Sequence, residues 1–111
     1  MIEISSSKVV QVVFLARERE LQDGPRSAAM ELHEFIDAMN DDEKAHLTAI
    51  AWVGREAFEA GDYDAAVTTA MEERTVGTAD YLMGMPHLAE NLEAGLDALG
   101  VDVDWEEEDL L

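Results

Sequence analysis

Glu43 and His46 stand three residues apart, the Glu-x-x-His spacing that sets a carboxylate and an imidazole on one helical face. A di-iron bundle needs two such units and two further glutamates around its metals. Here there is one, and the nearest thing to a second, His87-Leu88-Ala89-Glu90, has the two groups in reverse order. With 26 acids in 111 residues, chance supplies such spacings freely. The sequence therefore predicts no metal and no cofactor; Glu43 and His46 are the pair that would hold a metal if one were bound. His46 is expected to be exposed among carboxylates, and so is His33, which lies between Glu31 and Glu34 with Asp37 one turn on.

Nucleophilic chemistry has even less to work with. There is no cysteine, which removes thiolate catalysis, disulfides and thiolate metal sites. The four serines, Ser5, Ser6, Ser7 and Ser27, fall where helices would start, and none lies in a Gly-x-Ser-x-Gly turn. No phosphate loop or dinucleotide fingerprint occurs. Carboxylate pairs abound, but a charge-rich helix face is usually just solvated. The favoured reading is a small non-catalytic interaction or regulatory protein. One alternative is a metal- or carboxylate-dependent enzyme, and another is an acidic nucleic-acid mimic that occupies a basic protein.

Charge narrows the partners. Seven Lys and Arg against 26 Asp and Glu give a formal charge of −19. Binding nucleic acid or an anionic membrane needs clustered cations, whereas Arg17 and Arg19 alternate with Glu18 and Glu20. Neither partner is expected, and an unknown protein partner is. The apolar run 9–16 is preceded by Glu3 and followed at once by residues 17–20, Arg-Glu-Arg-Glu, so it reads as a core helix and not as a signal segment. No stretch approaches the roughly 20 apolar residues of a membrane span. A cytoplasmic protein is expected.

The elements that must position these groups are helical. Residues 5–7 offer caps for a first helix to about Gln22, and Asp23-Gly24-Pro25 ends it. Ser27 caps a second, about 28–39, with Leu32, Phe35, Ile36 and Met39 as its stripe. Asn40-Asp41-Asp42-Glu43 reads as a capping box opening a third helix that runs through Leu47, Ile50, Ala51, Trp52, Val53, Ala57 and Phe58. On it, Gly54 is either a point of close packing or an early stop. A fourth helix runs from Tyr63 to Arg74. Tyr81-Leu82-Met83 makes about one turn, and Pro86 starts a final helix whose Leu88, Ala89, Leu92, Leu96 and Leu99 recur at helical spacing up to Gly100. The expected fold is all-α, a compact orthogonal bundle of five main helices plus one short helical turn. Residues 1–100 would form the single domain and 101–111 an acidic C-terminal tail.

Two features point to interaction. Val9, Val10, Val13 and Phe14 cover more than one face of the first helix, so they lie at the domain centre or line a self-association surface. The second is preferred, as a homodimer, because few helices are available to cover them. Trp105 alternates with Val101 and Val103 in the tail, which would dock on the domain, serve a partner as a short motif or stay mobile. Trp52, by contrast, is expected in the core, its indole N–H needing a partner.

Two resemblances add to this. Gly54, Phe58, Gly61-Asp62-Tyr63 and Ala66 resemble the turn of a tetratricopeptide repeat, but no second copy follows at the required period, so the likeness implies a shared helix-turn-helix solution. The segments 31–40 (ELHEFIDAMN), 51–55 (AWVGR), 78–86 (TADYLMGMP) and 92–96 (LEAGL) are similar to a family of small, largely alphaproteobacterial proteins, a domain of unknown function numbered 3775. Its members tend to carry Gly-Arg-Gly where this chain has Gly54-Arg55-Glu56, which implies that the third helix continues further here. The family brings no activity, cofactor or site. It implies a bacterial cytoplasmic protein.

Overall fold

The computed structural model describes residues 2–21, 26–73 and 77–101. Its order is α1 (Ser6–Leu21), α2 (Arg26–Asp37), α3 (Asp41–Gly54), a 3-10 turn (Ala60–Asp62), α4 (Tyr63–Glu72), α5 (Thr78–Met83) and α6 (Leu88–Ala98). No strand occurs among the described residues. The fold is all-α, and the described residues form five long helices and a short one, α5, where one helical turn is expected from the sequence.

Helix α3 is the axis of the molecule. Residues 45–53 are all buried, so it has no solvent face of its own over those turns. It packs most extensively on α6 and next on α4, while α1 lies between α2 and α6. The capping box at its start is complete: Asn40 Oδ1 accepts from the Glu43 amide at 2.8 Å, and Glu43 Oε1 accepts from the Asn40 amide at 3.1 Å.

The far end of α3 departs from expectation. Instead of continuing, it stops at Gly54 in a Schellman motif: the Ala57 amide donates to the Trp52 carbonyl at 2.9 Å and the Glu56 amide to that of Val53 at 3.0 Å, with Glu56 left-handed at φ 68°. Helix α6 ends the same way, with Val101 donating to Leu96 and Gly100 to Asp97, and Gly100 at φ 77°. The same end of α3 is packed closely on α6. A Cβ on Gly54 would lie 1.6 Å from the Asn91 carbonyl oxygen of α6, so Gly54 is a close-packing point as well as the last helical residue.

Two starts also move. Arg26 and Ser27 lie inside α2, so Ser27 is not its cap. Pro86 precedes α6 by two residues, because His87 adopts a left-handed conformation (φ 59°) as its N-cap and the first helical bond runs from Asn91 to the His87 carbonyl at 2.9 Å.

The apolar stripes read from spacing face the core. Leu32, Ile36 and Met39 are buried, as are Leu88, Ala89, Leu92 and Leu96, and on α4 Ala66 and Ala70, with Val67 and Met71 packed at the margin.

Candidate functional site

The polar group with the most chemical potential is assembled where the N-terminal segment and the starts of α1, α3 and α4 meet. His46 sits in the second turn of α3 and is buried, contrary to the exposed position expected of it, because α3 is covered on all sides. Its Nδ1 receives the Glu3 backbone amide at 3.2 Å and lies 2.6 Å from the Tyr63 hydroxyl. A backbone amide can only donate. Nδ1 is therefore bare of hydrogen, the imidazole is neutral with its proton on Nε2, and Tyr63 donates to Nδ1. The same hydroxyl lies 3.5 Å from the His46 carbonyl oxygen, a longer and weaker alternative acceptor.

Electrostatics agree with that protonation state. Burial holds His46 below the ordinary imidazole pKa and the chain's amino terminus adds to this, while the Glu3, Asp42 and Asp64 carboxylates pull the other way. Burial pushes Tyr63 well above the usual phenol range, with the charges of Asp64 and Glu3 adding to it.

Glu43 lies one turn before His46 but serves other partners. Beyond its part in the capping box, it pairs through Oε2 with Lys8 of α1, and the hydrogen bonds from Lys8 and from the Asn40 amide hold its carboxyl below the usual range. Both residues of the Glu-x-x-His unit are thus tied into the fold, one by the cap and α1, the other by the N-terminal segment and α4. Among the described residues no three His, Asp or Glu side chains are grouped so as to hold a metal ion.

The remaining histidines are paired across or along helices. His33 Nε2 of α2 meets Asp80 Oδ1 of α5 at 3.1 Å, and His87 Nδ1 meets Glu90 Oε1 at 2.9 Å.

A second group is aromatic. Trp52 donates its indole N–H to the Tyr81 hydroxyl at 2.9 Å, stacks on Phe58 at 5.6 Å between centroids, and meets Tyr81 edge-on at 6.4 Å. This is the partner that a core tryptophan requires. It brings together the 51–55 and 78–86 segments, which are remote in sequence. Tyr81 itself is 37% exposed, so the cluster reaches the surface at this side chain.

The proposed interaction residues divide. Val9, Val10 and Val13 are at most 1% exposed within a single chain, because α2 and α6 flank α1 and cover them. They are core residues, not an outer surface, and Phe14 beside them is half-buried. Trp105 and the tail from 102 on lie outside the described residues.

Sequence reasoning missed three members of these groups: Tyr63, the Glu3 amide and Tyr81. Tyr63 was visible only as the last residue of a Gly-Asp-Tyr turn, and a backbone amide carries no residue-type signal at all. Tyr81 sat in a helical turn with no hint of its partner 29 positions earlier.

The class that this geometry defines is an all-α domain in which Glu43 and His46 are bonded to a cap, α1, the N-terminal segment and α4. Residues 29–101 match the family described as "Protein of unknown function (DUF3775)", and the chain belongs to that family. Neither a curated protein nor a solved structure matches it.

Proposed function

We propose that this chain is a small non-catalytic interaction or regulatory protein of the bacterial cytoplasm, whose partner is a protein that presents a basic region. The observation that carries this reading is the commitment of Glu43 and His46. The pair best placed for chemistry by its spacing is engaged by Lys8, the Asn40 amide, the Glu3 amide and Tyr63. Those bonds hold the N-terminal segment, α1 and α4 to α3, a structural duty that leaves neither group poised to act on a substrate. The formal charge of −19 supports a basic partner, since a field of one sign draws in its complement and repels acidic proteins. No helix among the described residues is long and apolar enough to cross a membrane, which fits the proposed location.

Affinity capture from a bacterial lysate, followed by calorimetric titration of each recovered protein with the purified chain, tests the proposal. A stoichiometric complex with a basic protein that weakens as salt is raised is the expected result. Recovery of no such protein, or about one or two metal ions per chain lost on His46→Ala, overturns it.

A further inference from the structure

We propose that His46 is a pH-operated latch on the N-terminal segment, releasing the Glu3 amide on protonation while keeping its contact with Tyr63. The inference stands apart from the proposed function and follows from the unlike chemistry of the two donors that converge on Nδ1.

In the neutral ring, Nδ1 offers one lone pair to two donors, the Glu3 N–H at 3.2 Å and the Tyr63 O–H at 2.6 Å. Protonation turns Nδ1 into a donor. The hydroxyl can adapt, because it carries lone pairs and a rotatable hydrogen. Tyr63 Oη then accepts from Nδ1–H and turns its own hydrogen toward the His46 carbonyl, which already lies 3.5 Å away. The Glu3 amide has no such freedom. Its N–H points at an N–H of a cation, and the bond is replaced by repulsion.

Release frees the Glu3 backbone from α3 and leaves the apolar anchors on either side in place. Ile4 is 6% exposed and packs in the core, Ile2 is partly buried against it, and Ser5 accepts from the Lys8 amide at the start of α1, so the change on protonation is confined to the Glu3 amide, whose bond to His46 ties this backbone to α3. The ionisable groups facing the ring set how readily the latch opens. From the N-terminal side these are the Glu3 carboxylate and the chain's amino group, from α3 Asp42, and from α4 Asp64 and the Tyr63 hydroxyl. Glu43 on α3 is neutralised by Lys8 of α1. Carboxylates outnumber cations around the ring, so an imidazolium formed there is stabilised once burial is overcome.

Amide hydrogen exchange on the full-length ¹⁵N-labelled chain, with ring ¹⁵N and ¹³C shifts reporting the His46 titration, tests the latch. Above the His46 midpoint, Nδ1 should carry the shift of an unprotonated ring nitrogen and the Glu3 amide should be protected. As pH falls through that midpoint, Glu3 exchange corrected for its intrinsic rate should quicken about tenfold, the equivalent of one lost hydrogen bond. The amides of residues 49–53 should keep their protection. His46→Asn places a non-titrating oxygen near the Nδ1 position and should leave Glu3 protected at every pH. Tyr63→Phe should retain the pH response of Glu3, because the latch needs only the ring nitrogen. Glu3 protection that ignores the His46 titration, a response shared by residues 49–53, or an unchanged response in His46→Asn overturns the proposal. If His46→Asn does not fold, the wild-type comparison of Glu3 with residues 49–53, together with Tyr63→Phe, still decides it.

Discussion

Gly95 lies against the carbonyl of Ile50 so closely that a Cβ built on it would stand 2.1 Å from the oxygen. One turn along each helix the relationship repeats in reverse, with Gly54 of α3 against the Asn91 carbonyl of α6. Two glycines, one from each helix, thus allow backbone to meet backbone at the most extensive packing contact of the fold. Since neither contacting carbonyl is the end of a flexible side chain, an added methyl must push the helices apart. Gly95→Ala and Gly54→Ala should each cost about 3 kcal/mol, the upper range for overpacking, read as a lowered denaturant midpoint at constant m. A loss under about 0.5 kcal/mol would show that α3 and α6 separate without cost.

The two Schellman motifs make a matched experiment. Glu56 and Gly100 occupy equivalent left-handed positions, but only Gly100 is free of the steric penalty that a side chain brings there. A Cβ on Gly100 would meet nothing within 4 Å, so its substitution reports backbone conformation alone. Gly100→Ala should destabilise by about 1 kcal/mol, and Glu56→Gly should stabilise by about 0.5 to 1 kcal/mol in chemical denaturation.

His46 and Tyr63 should impose opposite pH limits. The folded pKa of His46 is lowered, so the unfolded chain binds more protons just below the ordinary imidazole value. Stability is then full above about pH 6.5 and falls as pH drops from there through the folded pKa. Tyr63 is raised, so the folded chain holds its proton longer, and stability falls as pH rises above about 10. Glu43, lowered by its hydrogen bonds, acts in the same direction as His46 but only below about pH 4.3. Melting temperatures across pH should show the near-neutral part of the acid limb flattened in His46→Asn and the alkaline limb flattened in Tyr63→Phe.

Salt should stabilise the chain. Nineteen uncompensated negative charges repel one another within a Debye length of about 8 Å at physiological ionic strength. The Lys8–Glu43 and Arg17–Glu93 pairs are both partly exposed and weaken on screening, but exposed pairs contribute little. The melting temperature is expected to rise from low salt to about 0.5 M sodium chloride, whichever monovalent salt is used. A flat or falling curve would mean that the charges already compensate each other.

Tyr81→Phe isolates the aromatic cluster. It removes the acceptor of the Trp52 indole N–H while keeping the edge-on ring contact. Because Trp52 is 7% exposed, its orphaned N–H is poorly reached by water, and a loss of about 1 to 2 kcal/mol is expected in urea unfolding.

Periodicity and punctuation made the helices legible. The stripes of α2 and α6, the capping box at Asn40 and the Gly100 stop are local signals, written in residues three or four apart, and local geometry alone decides them. The family resemblance was legible for a similar reason, since its segments are short and contiguous. What spacing cannot express is which faces meet. Helix α1 was short of cover only on a count of helices; its flanking by α2 and α6 puts Val9, Val10 and Val13 in the core. His46 looked like one more histidine among carboxylates until α3 became the axis of the fold and buried it beside Tyr63, 17 residues on, and Glu3, 43 residues back. That Gly54 is a close-packing point depends on Asn91 of another helix. The sequence by itself determined the helices and the excess of negative charge, because both are sums over neighbouring residues. Tertiary structure alone decided which polar groups are tied down and where two backbones touch, because desolvation and close contact arise only when distant segments pack.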